Sequence, residues 1–596
     1  MPTVRDSLSS IREVVNLVWT EAGGFVRLRL TAVITLVPSA AVLTALGPVA
    51  LKLIVDRFTQ QTKSSAVSIL GLIALYILSQ WIARVVGQLW GLIYARAERR
   101  MFRTLSERLF AHLMQLPLRF HLDRQTGALS QTLSNGLVGY QMVAHHLVFT
   151  FLPAVAEVGT IILVLCRLAH PVFMSLFCGM LMCYLLSFAY ASVTLAKKAE
   201  AGSASHVDAN AAMTDGILNY ETVKYFTAES HLQERVSQAL LRTEAQWVDF
   251  FRLVALNGLS VGTIFAAFLG GSVIYASHEV TAGRMSVGDF VLVNTYMLQL
   301  VRPVEMLGVA MQELSQGVAM LEKMLALFRE TPEPRLKADR VSSGGPGALE
   351  FESVALSYRP ERTVLSGINF KIPAGKTLGV VGGSGSGKST LVRLLVRLFE
   401  PNEGRILLDG VSIADLSLPI LRKSIAVVPQ DTVLFNDTIG YNIGFGKPRS
   451  TPEEIEHAAK LAHLHDFIMS LPEKYDTRVG ERGLKLSGGE KQRISIARAA
   501  IKRPRIYVFD EATSSLDTKT ERDILRNLRE ISRFSTTLVI AHRLSTVAHA
   551  DEIVVLDGGV IVERGTHSSL LRRNGHYAAL WEAQQQGSVE IATRVE

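Results

Sequence analysis

Cysteine is scarce: three residues in 596, Cys166, Cys178 and Cys183, all in or beside apolar stretches. Neither their number nor their spacing supplies a zinc site or a disulfide framework, so they read as packed or lipid-facing thiols. Charge is thin as well, at 19% Asp, Glu, Lys and Arg, and the long charge-poor stretches all precede about residue 316. The net charge of +8 comes without a basic cluster interleaved with aromatics, which excludes a nucleic-acid surface. The Lys and Arg flank apolar runs instead, the pattern of membrane topology. A removable leader is also missing. The first thirty residues mix Asp6, Glu13 and Glu21 with Arg5, Arg12, Arg27 and Arg29, with neither a short apolar core and cleavage site nor an acid-poor transit pattern.

What the chain has is apolar length. Six stretches, at roughly 31–55, 67–94, 145–168, 171–193, 254–277 and 287–311, reach the ~20 residues a helix needs to cross a ~30 Å hydrocarbon core. An even number of spans puts both ends on one side. The segments 96–124 and 197–252 carry Arg96, Arg99, Arg100, Lys197, Lys198 and Lys224 among other bases, so they are assigned to the cytoplasm. Their mixed charge and regular apolar positions predict helices that continue beyond the membrane. Arg84 and Glu157, inside the spans, are expected to face the bundle interior or water. Thr331-Pro332-Glu333-Pro334 and Ser342-Ser343-Gly344-Gly345-Pro346-Gly347 mark a linker, after which short β-branched strands alternate with amphipathic helices. The expected layout is a cytoplasmic segment 1–30, an all-α six-helix membrane domain 31–316, a linker 317–347, a soluble α/β domain 348–585 and a flexible tail 586–596.

In the soluble part, Leu378-Gly379-Val380-Val381 reads as a buried strand. It runs into Gly382-Gly383-Ser384-Gly385-Ser386-Gly387-Lys388-Ser389 and then a helix from Thr390. This is a complete phosphate-binding loop, Walker A, in its strand–turn–helix context. Its glycines let backbone N–H groups face phosphates at a helix N-terminus. Lys388 reaches the β and γ phosphates of ATP, and the Ser389 hydroxyl is suited to Mg²⁺. A second strand, Ile506-Tyr507-Val508-Phe509, ends in Asp510-Glu511. Asp510 belongs near the magnesium shell, and Glu511 is the candidate catalytic base that polarises an attacking water. An acidic pair alone often only caps a helix; the phosphate-binding loop upstream decides for chemistry.

Between these strands stands Leu486-Ser487-Gly488-Gly489-Glu490, and here the domain resembles the ABC ATPase family, whose signature is that pentapeptide. The resemblance implies that Ser487, Gly488, Gly489 and Glu490, with Asp517 of Ser515-Leu516-Asp517, serve ATP held by the opposite subunit, so that hydrolysis needs a dimer. It implies Tyr358 stacked on adenine, Thr390 within the ATP site, and Gln430 of Val428-Pro429-Gln430 linking Mg²⁺ to the membrane domain. His542 of Ile540-Ala541-His542-Arg543 matches the switch histidine that contacts the γ-phosphate. Neither half of the composite site departs from the family pattern, so a homodimer is the simplest assembly. Six spans ahead of the cassette, and Thr477-Arg478-Val479-Gly480-Glu481-Arg482-Gly483 just before the signature, resemble the exporters. The implied fold is a six-helix all-α ABC exporter domain followed by an α/β P-loop ABC ATPase domain.

The loop tips Phe120 to Ser130 and Asp215 to Ser230 are expected to carry force between the domains, through Phe120, Arg124, Gly127, Tyr220, Glu221 and Lys224. The run Leu218 to Phe226, with Phe120-His121, Thr126-Gly127, Arg302-Pro303 and Met306-Leu307-Gly308, resembles the mitochondrial-type subfamily that exports glutathione derivatives and metal-thiol conjugates. That implies ATP-driven export of a small-molecule cargo, with substrate contacts at Asn257, Ser260, Met306, Gly308 and Gln312. The subfamily's pocket arginines in the fourth and sixth spans are replaced by Leu195, Ala199 and Gln312. An anionic peptide would lose ~1.5–3 kcal/mol for each charged hydrogen bond, so a cargo less anionic than glutathione is expected. Movement of a lipid, glycolipid or amphipathic drug stays open, as does export of a peptide or siderophore-like metabolite. Intact Glu511 and His542 disfavour a nucleotide-gated channel or a regulatory ATPase without cargo. The missing leader favours a bacterial inner membrane over the mitochondrial one, with membrane lipid as surroundings and the ATPase domain in the cytoplasm.

Overall fold

The computed structural model describes residues 23–59, 66–124, 126–168, 171–333, 345–359, 362–480, 483, 485–511 and 518–593. It divides into two compact units, one formed by Met1–Leu116 and Asp123–Thr331, the other by Pro117–Leu122 and Pro332–Glu596.

The first unit is helical: α1 (Gly24–Thr59), α2 (Ala66–Leu113), α3 (Thr126–His146), α4 (Leu152–Leu168), α5 (Pro171–Leu218), α6 (Glu229–Thr281) and α7 (Val287–Arg329). A five-residue π-helical segment, Leu147–Phe151, joins α3 to α4. Among the described residues five helical stretches, in α1, α2, the joined α3–α4, α5 and α6, are long and apolar enough to cross a bilayer. In α7 the apolar stretch found among the described residues is shorter, Val287–Val301, and Arg302, Pro303 and Glu305 interrupt the apolar sequence beyond it. At 48 and 53 residues, α5 and α6 measure about 72 and 80 Å at 1.5 Å per residue, more than twice the hydrocarbon core.

Helix pairs pack lengthwise, α1 on α2, α5 on α6 and α3 on α7. The α3–α7 contact depends on missing side chains: a Cβ at Gly139 would stand 2.5 Å from the Gly317 carbonyl oxygen, the close approach that small residues permit in membrane bundles. Between the spans, Ile161, Leu165, Phe177, Met180 and Leu292 form a buried cluster with Tyr296, whose hydroxyl donates to the Ala45 carbonyl at 2.7 Å. Glu157 lies partly buried and accepts a hydrogen bond from Gln299. Arg84, expected to face the bundle interior or water, is exposed on this chain.

The second unit contains two sheets. Strands β1 (Leu349–Arg359), β2 (Arg362–Ile372), β4 (Glu403–Leu408) and β5 (Val411–Ser412) form an antiparallel sheet in the order β2-β1-β4-β5. Strands β3 (Thr377–Gly382), β6 (Ile425–Val428), β7 (Ile506–Asp510), β8 (Thr536–Ile540), β9 (Glu552–Asp557) and β10 (Val560–Gly565) form the other, ordered β10-β9-β3-β8-β7-β6. All its neighbours run parallel except β9 and β10. Successive side chains alternate between faces, and the cores follow suit. Val508, Leu538 and Val554 pack with the antiparallel sheet. Tyr507, Phe509, Val539 and Val555 pack with the helical side. Burial on both faces explains why these strands are continuously apolar, and it holds rigid the strand ends that carry the candidate site.

Candidate functional site

The strand β3 ends at Gly382, and the loop after it enters α8 (Lys388–Leu395) through Gly387. Gly387 has φ +101°, and a Cβ there would meet the Leu365 side chain at 2.6 Å; only glycine fits this turn. Lys388 Nζ donates to the carbonyl oxygens of Gly382 and Gly383 at 2.9 and 2.8 Å, so the ammonium is folded back over its own loop. Burial pushes it below its ordinary pKa, against the pull of Glu511 and Asp510. Ser386 is 5% exposed, and its Oγ has no hydrogen-bond partner, an orphaned buried polar atom in a loop built for a polar ligand.

Around this loop lies a cavity of about 730 Å³. Ser384, Gly385, Ser386, Gly387, Lys388, Ser389 and Thr390 form one wall, and Tyr358, Arg362, Gln430, Glu511 and His542 close it. The Tyr358 hydroxyl meets Thr390 Oγ1 at 3.2 Å, and its ring packs edge-on against Phe399 with centroids 4.8 Å apart. Ser389 Oγ donates to Asp510 Oδ1 at 3.4 Å. Burial raises the Asp510 carboxyl above its ordinary value, the Ser389 hydrogen bond opposing and the neighbouring Glu511 adding to it. Gln430 Nε2 donates to Glu511 Oε2 at 2.7 Å. Glu511 itself has φ +48°, a left-handed conformation that costs a non-glycine residue about 1–3 kcal/mol. Its N–H donates to the Ile540 carbonyl at 2.9 Å, which ties it to the strand leading to His542.

Ser487, Gly488, Gly489 and Glu490 are not on this wall. Ser487 caps α9 (Gly488–Lys502): its hydroxyl accepts from Glu490 N–H, and the Glu490 carboxylate accepts from Ser487 N–H at 2.8 Å. Glu490 is therefore engaged in a capping box of its own helix, its N–H included, which leaves the Gly488 and Gly489 N–H groups at the helix start as the ones suited to an anion. Asp517 lies outside the described residues, as do Glu481 and Arg482.

The coupling candidates sit on two short helices and their neighbours. Phe120 is on Leu118–Leu122, in the segment that belongs to the second unit. Arg124 pairs with Glu330 at 2.9 Å, and Gly127 opens α3. Tyr220, Glu221 and Lys224 lie on Tyr220–Tyr225, where Lys224 pairs with Glu229 at 2.7 Å and the aromatic side chains of Tyr220, Tyr225 and Phe226 are exposed. The substrate candidates are dispersed. Asn257 accepts from Ser187, Ser260 bonds back to Leu256 of its own helix, and Met306 lines a separate cavity with Glu157. Gly308 and Gln312 lie on α7, and the surroundings of Gly308 and the Gln312 side chain are outside the described residues.

Residues 30–304 match the model of the ABC transporter transmembrane region, and residues 365–514 match that of the ABC transporter. The chain is 36% identical to the ATM1-type heavy metal exporter of Novosphingobium aromaticivorans, over 99% of this chain and 98% of that protein. It belongs to the ABC transporters, as a half-transporter of the Atm1 subfamily. The human mitochondrial iron-sulfur clusters transporter ABCB7 is 38% identical over 97% of this chain and 79% of its own length. A solved bacterial Atm1-family ABC exporter with ATP bound matches at TM-score 0.84 and 37% identity, covering 94% of this chain and 99% of that one. This half-transporter is thus an integral membrane protein with an ABC ATPase domain, and an ATP-driven exporter of the Atm1 type.

The structure also adds residues that no motif indicated. Gln584, in α10 (His576–Thr593), donates through Nε2 to the His542 carbonyl at 2.6 Å and accepts from Leu544 N–H at 2.9 Å. One amide thus spans both sides of the turn that presents His542. Gln492 of α9 accepts from Thr432 at 2.9 Å and donates to the Pro429 carbonyl, which fastens the Gln430 loop to the signature helix.

Proposed function

We propose that two copies of this chain form a homodimer in a bacterial inner membrane and export a glutathione-related or metal-thiol conjugate, each ATP being hydrolysed between one copy's phosphate-binding loop and the other's Ser487–Glu490. The observation that carries the catalytic part is the gathering of Lys388, Ser389, Gln430, Glu511 and His542 around one cavity, with the capped signature helix outside it. A site complete but for the signature needs a second subunit.

In this reading Tyr358 stacks on adenine, Lys388 turns from the loop carbonyls to the β and γ phosphates, and His542 meets the γ-phosphate. Glu511 polarises the attacking water. Before nucleotide arrives its carboxylate is engaged by the Gln430 amide, so the base is occupied until that loop moves. The Ser389 hydroxyl, the Asp510 carboxylate and the Gln430 amide offer the hard oxygen donors that Mg²⁺ prefers. When bound, Mg²⁺ supplies charge neutralisation at the β and γ phosphates. ATP favours the closed sandwich by differential affinity, and that bias turns the membrane domain outward. The exposed Tyr220–Tyr225 and Leu118–Leu122 helices receive and transmit the motion.

The cargo class is supported by relatives named for heavy metal and iron-sulfur cluster transport. The test is ATP-dependent uptake of labelled glutathione disulfide into inside-out vesicles carrying the full chain, with Glu511→Gln as control. Uptake in the parent and its loss in the variant, with nucleotide binding retained, is expected. Robust ATPase activity without uptake removes this cargo and directs the search to lipids and other metabolites.

A further inference from the structure

The membrane unit holds a second cavity, of about 610 Å³, walled by α1, α2, the π-helical segment with α4, and α7. Its chemistry is one-sided. Glu157 is the only Asp or Glu among its described lining residues, and Lys, Arg and His are absent from them. Glu157 Oε1 accepts from Gln299 Nε2 at 2.7 Å, while Oε2 meets no donor among the described residues, and the Gln80 amide on the opposite wall makes no hydrogen bond among them. Gln80 reaches the wall over Gly47, where a Cβ would collide with its Nε2.

The backbone points the same way. Three different helices place a proline on this wall, Pro48, Pro153 and Pro303. A proline returns no N–H to the carbonyl four residues before it. The carbonyls of Thr44 and Gln299, four residues before Pro48 and Pro303, therefore lack their regular helical donor, and both residues line the cavity. The π-helical segment contributes Phe149 and Thr150 to the same wall; such turns recur at functional sites. Backbone acceptors without their regular donor are tolerated at membrane depth where they line a cavity, and a carboxylate there marks a ligand path by default. Among the described residues the wall offers acceptors and no cation, and its volume lies within the range of small-molecule sites.

We infer that this cavity binds a cargo group bearing a protonated primary amine, held by Glu157 with the freed carbonyls as further acceptors. The inference rests on the exporter reading and narrows it. A thiol peptide with a free α-amine presents such a group, so recognition falls on the amine end where Leu195, Ala199 and Gln312 leave the carboxylate end without arginines.

The test titrates the full-length chain in lipid nanodiscs with monodansylcadaverine, a fluorescent primary amine, and with its N-acetyl derivative. ATPase stimulation by glutathione disulfide is read on the same samples. Saturable amine binding is expected, weakened about tenfold or more both by acetylation and by Glu157→Gln, and kept within about threefold of the parent in Glu157→Asp, which retains the charge. Equal affinity for the two probes, unchanged affinity in Glu157→Gln, or equal loss in Gln and Asp variants overturns the inference. Amine binding without stimulation by glutathione disulfide removes the thiol-peptide cargo but leaves the amine preference standing; stimulation without amine binding does the reverse.

Discussion

Replacing Gln584 by leucine isolates one structural idea, that the turn carrying His542 is held in place from α10. The substitution preserves approximate volume and removes two hydrogen bonds, the 2.6 Å donation to the His542 carbonyl and the 2.9 Å acceptance from Leu544 N–H. At a net ~1 kcal/mol for each bond, about 2 kcal/mol of positioning is lost, equivalent to a roughly 30-fold fall in rate if the whole amount is expressed in the transition state. Tyr358 and the phosphate-binding loop lie elsewhere on the cavity wall, so the KM for ATP should stay within about twofold. Steady-state ATPase assays on the reconstituted chain separate kcat from KM. Gln584→Glu keeps an acceptor for Leu544 but sets a carboxylate against the His542 carbonyl, and should lose as much. A kcat for Gln584→Leu within about twofold of the parent, with its thermal midpoint unchanged, would refute the reasoning.

Gly387→Ala should lower nucleotide affinity and ATPase activity together, since the new methyl meets Leu365 at 2.6 Å on a backbone at φ +101°; a cost of about 1–3 kcal/mol corresponds to a roughly 5- to 150-fold effect, measurable by fluorescent nucleotide titration. Asn442 is fully buried, and its amide bonds Phe435 and Thr438 carbonyls and Arg498. Asn442→Ala should destabilise the ATPase unit by about 2–4 kcal/mol, because several buried partners lose their bonds at once, and differential scanning calorimetry of the full chain, with and without ATP to mark the transition of the ATPase unit, should show that transition shifted down.

The parts of the site that could be read from the sequence are those in which spacing and backbone geometry are the same information. Gly387 before Lys388 is a turn that only glycine makes, and Ser487 three residues before Glu490 is a reciprocal cap visible as a four-residue pattern. Spans show in composition because lipid leaves no other use for such runs. Gln584 gives no such sign: it lies 42 residues from His542 and bonds to backbone atoms, which carry no sequence identity. Glu157 and Gln299 are 142 residues apart, and only the packing of α4 against α7 makes them neighbours. The π-helical turn at Leu147-Val148-Phe149-Thr150-Phe151 contains no breaker of its own. Substrate candidates carried over from the family pattern fared differently from one another: Met306 lines the Glu157 cavity, whereas Asn257 and Ser260 are bonded within the α5–α6 pair.

The Gly139–Gly317 crossing has a bearing on how such a machine can move. At this point carbonyl oxygen is set against bare Cα with no side chain between, and a shift by one helical turn, about 5.4 Å, would drive Met320 or Val143 into the space that hydrogen atoms now occupy. α3 and α7 must travel as a single strut about this point. Opening toward either side of the membrane then has to be taken up where helices meet through larger, rotatable side chains, and a drug or substitution that wedges this crossing apart would stall the cycle without touching ATP or cargo.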